Sequence, residues 1–388
     1  MKRKLRMGMV GGGHGGFIGG VHRIAAQMDG QIELVAGCFS SDPKKSKASG
    51  KDFHVAPERT YTDWKAMLKA ESEKPADARL DFISVVVPNW QHCPISKACL
   101  LAGFNVVCDK PLGLSLKEAL DLRKTVKASG KVFALTHNYT GYPIVKHARA
   151  LVASGQLGKL IKVVVEYPQG YMTPQIEAKA GTGMARWRTD PKKSGISNAT
   201  ADIGTHAENL ARYITGLEIE ELCAELTSFI PGDPLETDSN ILIRYKGGAR
   251  GILFASQIMN GEENDLNIRV YGTKGSLEWH QEQPNELMLK AADQPRQIHT
   301  RGNSAYLSKV AGENNRLPWG HPEGFIEAFA NTYLNAAQAI RDEVSGKKPP
   351  KKGYDFPTIE DGVIGMALIE TAVKSSKAKQ KWVKFPSV

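Results

Sequence analysis

Apolar and polar positions fall into alternating blocks over residues 1–137. Short runs rich in Val, Ile, Leu and Phe predict strands at Leu5–Val10, Ile32–Phe39, Phe82–Val87, Phe104–Cys108 and Val132–Leu135. Between them, helical patterns run over His22–Met28, Pro94–Ala102 and Leu116–Ser129. The FISVVV run at Phe82–Val87 is almost continuously apolar, as expected of a strand covered on both faces. Alternation of this kind predicts a parallel sheet with helices on both sides.

The texture changes after Asn138. A helix is expected at Ile144–Ala153 and a valine-rich strand at Leu160–Tyr167. Residues 168–199 carry Gly, Pro, Thr and Ser without a period, as functional loops often do. A helix over Ala201–Thr215 stops at Gly216. Strands follow at Leu222–Ile230, Ile241–Tyr245, Gly251–Ile258, Asn267–Tyr271 and Leu277–His280. Gly247-Gly248 and Gly272–Gly275 have hairpin-turn composition. Two helices, Pro322–Val344 and Ile359–Ser375, end the chain, with Pro322 suited to a first helical turn. The expected architecture is α/β followed by α+β. A dinucleotide-binding domain occupies 1–137, and an α+β domain on a largely antiparallel open sheet occupies 138–388.

Composition narrows the classes. With 41% hydrophobic and 24% charged residues, 388 residues suffice for two cored domains. The net charge is +10, but the basic runs are scattered (Lys44-Lys45, Lys192-Lys193, Lys347-Lys348) and few aromatics interleave with them. That argues against nucleic-acid binding, and such a surface can instead steer an anionic cofactor. Five cysteines without a CxxC pair read as buried free thiols in a reducing compartment. The basic N-terminus lacks the apolar core of a signal peptide, and no stretch reaches the ~20 apolar residues of a membrane span. The expected location is cytoplasmic, with no membrane partner. No His, Cys or Asp spacing matches a metal motif, so no metal is expected.

Gly11-x-Gly13-x-x-Gly16 follows the first strand and opens a helix, the context a dinucleotide fingerprint requires. In that fingerprint the first glycine permits the turn. The second admits the pyrophosphate, and the third lets helix and strand pack. His14 lies inside the turn and is expected to line the pyrophosphate. NAD-selective sites often place an acid at the end of the second strand. Ser40 stands there instead, with Asp42 two residues beyond, and Ser40 with Lys44 or Lys45 suits a 2′-phosphate. Asp42 tips the expectation to NAD, with NADP left open.

Three further segments complete a pattern: Pro88-Asn89-Trp90-Gln91-His92 after one strand, Cys108-Asp109-Lys110-Pro111 after the next, and Asp202-x-x-x-His206 on a helix. Together with the glycine turn they resemble the glucose–fructose oxidoreductase/inositol dehydrogenase (Gfo/Idh/MocA) family over nearly the whole chain. The resemblance implies a Rossmann domain and an α+β domain whose open sheet forms the interface of a homodimer or homotetramer. It implies hydride exchange between a secondary alcohol of a sugar or inositol and a nicotinamide. It carries over Lys110, Asp202 and His206 as the catalytic group, and Pro88, Asn89, His92 and Asp109 as cofactor-side contacts. Asp109 replaces the usual Glu, Val87 the usual Thr and Ser40 an acid, which bears on cofactor choice and on the nicotinamide-ribose contacts.

Alcohol oxidation removes an O–H proton as the hydride leaves, and His is suited to that near neutral pH. Asp202 and His206, four apart, share one helix face, while Ile203, Ala207, Leu210 and Ile214 form an adjacent core stripe. Asp202 can orient the imidazole or bind a hydroxyl; an ordinary solvated pair with Asp202 as a cap is the bland reading. Lys110 ends a strand, where its ammonium can stabilise alkoxide charge, and Lys110-Pro111 suits a cis peptide. Asn138, Tyr139 and Arg188 are candidate substrate contacts, and His321 is read chiefly as a helix cap. Two other functions fit the same motifs. One is a cofactor-retaining hydrolase or lyase that oxidises its sugar transiently. The other is a nucleotide-binding sensor, which would have no need of Lys110, Asp202 and His206.

Overall fold

In the computed structural model the described residues are 3–177, 190–351 and 353–388. They divide into two compact units. The first comprises 1–113, 117–138 and 326–363; the second comprises 114–116, 139–325 and 364–388. Residues 114–116 belong to the second unit and 326–363 to the first, whereas the sequence reading divides the chain once, between 137 and 138.

The first unit is built on five parallel strands: β1 (Leu5–Gly11), β2 (Ile32–Cys38), β3 (Phe82–Val86), β4 (Asn105–Cys108) and β5 (Phe133–Leu135). Their order is β2-β1-β3-β4-β5. The chain therefore reverses its direction of growth between β1 and β3, the switch point where open α/β sheets bind ligands. Every residue of β3 is buried, as its apolar run predicts. Helices α1 (Phe17–Gln27), α2 (Pro43–Asp52), α3 (Trp64–Ser72), α4 (His92–Leu101) and α5 (Leu116–Ser129) accompany the strands. The polar composition of α2 (PKKSKASGKD) hides it from an apolar-period search. It is instead specified by its cap: Asp42 accepts from Lys44 N (2.8 Å) and Lys45 N (3.3 Å), and Pro43 follows.

The second unit opens with α6 (Pro143–Ala153) and carries a nine-stranded mixed sheet. Its strands are β6 (Leu160–Pro168), β7 (Ile219–Thr227), β8 (Asp238–Tyr245), β9 (Arg250–Ser256), β10 (Asn267–Gly272), β11 (Ser276–His280), β12 (Glu286–Ala291), β13 (Gln294–Thr300) and β14 (Trp382–Lys384). The order is β13-β12-β11-β10-β6-β9-β8-β7-β14. Only β6 and β9 pair in parallel, so the sheet is largely antiparallel. Hairpin turns lie at Gly247-Gly248 and at Gly272–Gly275, where Gly272 N bonds Gly275 O. Strand β13 (QPRQIHT) is nearly all polar and exposed, so no alternation betrays it.

Short helices α7 (Pro191–Ser194) and α9 (Lys309–Gly312) flank α8 (Thr205–Thr215). The helix α10 (Phe325–Val344) lies in the first unit from Ile326 onward, and α11 (Ile359–Lys377) begins there and continues in the second. Pro322 is not in the first turn of α10, which starts three residues later. The buried Glu323 carboxylate accepts from Arg301 (2.8 Å) and from the N–H groups of Arg316 and Leu317 (2.7 Å each), which holds 322–324 outside the helix. Among the described residues no helix is long and apolar enough to cross a membrane.

Candidate functional site

The glycine turn closes the C-terminal end of β1. Gly11 pairs with Val86 in the β1–β3 register and has φ +82; a Cβ there would lie 2.0 Å from the Val86 carbonyl oxygen. A Cβ on Gly13 would sit 2.5 Å from the Phe39 oxygen. Gly16 departs from its expected role. It caps α1, and its Cβ would meet nothing nearer than 3.7 Å. Close packing of helix on turn falls to Gly19, whose Cβ would lie 2.3 Å from Gly12 O. No side chain caps α1. Its glycine start therefore leaves backbone donors and the positive helix end for an anion, as a pyrophosphate requires. This cradle, filled by any side chain at Gly11 or Gly13, fits a dinucleotide.

His14 turns away from a purely cofactor role. Its Nε2 lies 3.0 Å from Asp52 Oδ2, its N–H donates to Ser49 Oγ, and its ring packs edge-on to Phe53. At the end of β2, Ser40 Oγ accepts the Asp42 N–H (3.1 Å), and Lys45 is exposed. Because the Asp42 carboxylate caps α2, it is not a free acid at the strand end; the reason for expecting NAD from that residue falls.

Pro88 and Asn89 are half-buried just beyond β3. His92 is fully buried, with Nδ1 2.6 Å from Pro111 O and Nε2 2.7 Å from Val87 O. Burial lowers its pKa, against the opposing pull of Asp109 and both carbonyls. Its imidazole thus ties the β3 end to the segment after β4, and both ring nitrogens face backbone rather than a ligand. The Lys110-Pro111 peptide between them is cis.

Asp109 Oδ1 accepts from the Lys110 N–H (2.9 Å) and from Thr136 Oγ1 (2.7 Å). His22 Nε2 stands 3.8 Å away, an ion-pair rather than a hydrogen-bond distance. Burial pushes the Asp109 carboxyl up, but His22, His92 and Lys110 together hold it well below the usual carboxylate range. Behind His22, Nδ1 meets Tyr333 Oη at 2.7 Å, and Ser84 Oγ lies 2.7 Å from the same oxygen. This buried cluster braces the backbone that presents Lys110. The Asn138 amide nitrogen is buried without a hydrogen-bond partner, as a ligand-facing donor would be.

In the second unit Asp202 lies in a π turn, Thr200–Gly204, which runs directly into α8 carrying His206. Asp202 Oδ2 accepts from Gln257 Nε2 at 2.8 Å. Ile203, Ala207, Leu210 and Ile214 are buried, as the stripe predicts. His206 is 5% exposed and packs edge-on to the Tyr139 ring at 4.8 Å. The Tyr139 hydroxyl meets Tyr167 Oη at 2.5 Å and accepts from Asn264 Nδ2 at 3.3 Å, while Tyr167 donates to Asn264 Oδ1 at 2.7 Å. Burial raises both tyrosine pKa values. Tyr139 thus packs against His206 with its hydroxyl engaged by protein. Tyr167, Asn264 and Gln257 are absent from the sequence reading because they lie on separate strands and loops with no shared spacing.

Arg188, like Arg186 and Trp187, lies outside the described residues. His321 precedes α10 by several residues and its Nδ1 faces Trp319 O at 3.1 Å, so it does not cap that helix. Cys38, Cys93, Cys99 and Cys108 are buried free thiols; Cys223 is half-buried. No cluster of three or more metal-ligating side chains occurs among the described residues.

Comparison with known proteins supplies the family context. Residues 5–137 match the oxidoreductase family with an NAD-binding Rossmann fold, and residues 145–278 match the GFO/IDH/MocA C-terminal domain. The uncharacterized oxidoreductase YfiI of Bacillus subtilis is 32% identical, covering 99% of this chain and 98% of its own. Levoglucosan dehydrogenase of Pseudarthrobacter phenanthrenivorans is 24% identical over 100% of this chain and 99% of its own. An inositol dehydrogenase homologue from Azotobacter vinelandii, solved with NAD+, superposes with a TM-score of 0.94 at 35% identity, covering 99% of this chain and 98% of its own. The same homologue has been solved with NADH and myo-inositol (TM-score 0.90, 34% identity, 99% and 98% covered).

Proposed function

This chain belongs to the Gfo/Idh/MocA family of NAD-binding oxidoreductases, and on that premise we propose that it oxidises a secondary alcohol of a cyclic polyol or sugar, inositol-like or anhydrosugar-like. The observation that carries this reading is His206: a nearly buried imidazole on a helix whose preceding turn holds a carboxylate, Asp202, anchored by Gln257. Retention of Lys110 on its braced strand end supports it. The inositol and levoglucosan specificities of the relatives suggest the substrate class.

Gly11, Gly13 and the start of α1 would hold the pyrophosphate of NAD, and Pro88, Asn89, Asp109 and Lys110, at or near the strand ends, would serve its nicotinamide side. Bound NAD supplies the hydride acceptor. His206 takes the hydroxyl proton as the C–H hydride leaves, so an alcohol becomes a ketone with one proton released. Lys110 donates a hydrogen bond to the same oxygen and stabilises its developing negative charge. Asp202 orients the substrate or the imidazole. Homo-oligomer formation through the open sheet and residence in the cytoplasm belong to this reading.

The test is a panel of inositols, sugars and anhydrosugars, each with NAD or NADP, followed by absorbance of the reduced nicotinamide. Growth of that signal with one polyol is expected. Silence across the panel, with NAD shown to bind, overturns the dehydrogenase reading in favour of a cofactor-retaining hydrolase or a sensor.

A further inference from the structure

The turn that carries Asp202 has an unusual foundation. Glu236, just before β8, is 7% exposed. Its Oε1 accepts from Ser197 Oγ (2.6 Å), Thr200 N (3.0 Å) and Asn198 N (3.2 Å), and its Oε2 lies 3.2 Å from the same Asn198 N. Its backbone oxygen accepts from Ala199 N. All of these donors are neutral. Burial pushes the Glu236 carboxyl above its ordinary value, and the donors offset only part of that. A buried carboxylate held by neutral donors at a helix start is costly to keep, and helix dipole and N–H bonds favour it there.

Two more contacts join the same turn to the ends of β8 and β9. Thr200 Oγ1 bonds Ser239 Oγ at 3.0 Å, and Gln257, whose N–H donates to Thr237 O, holds Asp202. The turn is π-helical, a wider geometry that is rarely stable by itself and recurs at functional sites. A helix start of this kind usually carries a local Ser, Asp or Asn cap. Here Ser197 Oγ, on the turn's own flank, accepts from Ala201 N (3.2 Å), and the Ser197 hydroxyl and Thr200 N both donate to Glu236, 36–39 residues along the chain.

We propose that Glu236 is a positioning residue of the dehydrogenase site: its buried carboxylate fixes the start of the π turn and thereby sets where Asp202 and His206 stand. This rests on the proposed dehydrogenase function. It predicts that loss of the carboxylate moves the turn by a fraction of a residue rise without unfolding the unit. Misplacement of a catalytic group by about 1 Å can lower a rate by about 100-fold.

The experiment uses the full-length, NAD-loaded protein and two variants, Glu236→Gln, which keeps the shape and one acceptor, and Glu236→Ala, which removes both oxygens. On a polyol that the wild type oxidises, kcat should fall about tenfold in the first and about 100-fold in the second, with KM for NAD unchanged in both. In parallel, nitrogen-15 imidazole spectra of the His206 ring and amide exchange of 198–204 are recorded, and these need no substrate. A shifted His206 signal with faster exchange confined to 198–204 supports the proposal. An unshifted His206 signal in Glu236→Gln, or an unchanged kcat, overturns it. If the wild type oxidises no polyol, the dehydrogenase reading fails, while the spectra still decide whether Glu236 positions His206.

Discussion

At the end of β4 the chain presents Lys110 with parts that lie close along it or on adjacent parallel strands. Asp109 bonds the Lys110 N–H, Thr136 comes from the end of the neighbouring strand, and His92 ties Val87 O to Pro111 O. In the second unit the turn that carries Asp202 is held differently. Glu236, Ser239 and Gln257 reach it from in or beside β8 and β9, 36 to 55 residues away. The Lys110 arrangement follows from the βαβ repeat, which delivers every strand end to the same edge of the sheet. The other depends on particular side chains meeting across a mixed sheet.

The sharpest test of that division removes the chemistry from each unit in turn. Lys110→Ala and His206→Ala should each lower kcat by about 10²–10⁴-fold, while NADH binding, followed by its fluorescence, stays near wild type. Near-native kcat in both variants would break the assignment.

A second test probes how the second unit tolerates acid. His147 is buried, with its Nε2 3.0 Å from His299 Nδ1 and its Nδ1 accepting from Ser308 N. Burial, and then His299, push its pKa down to about 4. A histidine whose folded pKa lies below the unfolded value of about 6.5 takes its proton more readily when unfolded. Its contribution is therefore complete above pH ~6.5 and is lost as the pH falls toward 4. Denaturant unfolding should show a loss of about 2 kcal/mol between pH 7 and pH 5, and His147→Gln should flatten that slope. An unchanged slope would remove His147 as its source.

The glycine turn offers a graded comparison within the first unit. Gly13→Ala places a methyl 2.5 Å from Phe39 O, and NADH affinity should fall about tenfold, or about 1.4 kcal/mol. Gly16→Ala has 3.7 Å of clearance and should bind NADH almost as the wild type does. Equal losses at both positions would restore the close-packing role to Gly16. The smallest effect is expected from Asp42→Ala, which removes the α2 cap at a cost of about 1 kcal/mol in stability. The ratio of NAD to NADP affinity should stay put; a swing toward NADP would return Asp42 to the cofactor.

Much of this was legible along the chain. Apolar runs and glycine punctuation are local signals, so the five parallel strands, the glycine turn, the valine-rich β6 and the hairpin glycines could be read directly. So could the buried stripe of α8. Residues whose meaning depends on a distant partner could not. Asp42 looked like a ribose ligand until its carboxylate was found on the α2 amides, and Pro322 looked like a helix start until Glu323 was found engaged with Arg301. Gly16 and Gly19 are indistinguishable until the approach of Gly12 is known. Sequence by itself determined the order of elements and the chemistry available, because propensity and period act over a few residues. Tertiary structure alone decided which side chains hold the functional ones. Glu236, Gln257 and Tyr167 meet the turn and helix bearing Asp202 and His206 only because the pairing of β6, β8 and β9 closes long loops, and no spacing in the chain encodes that pairing.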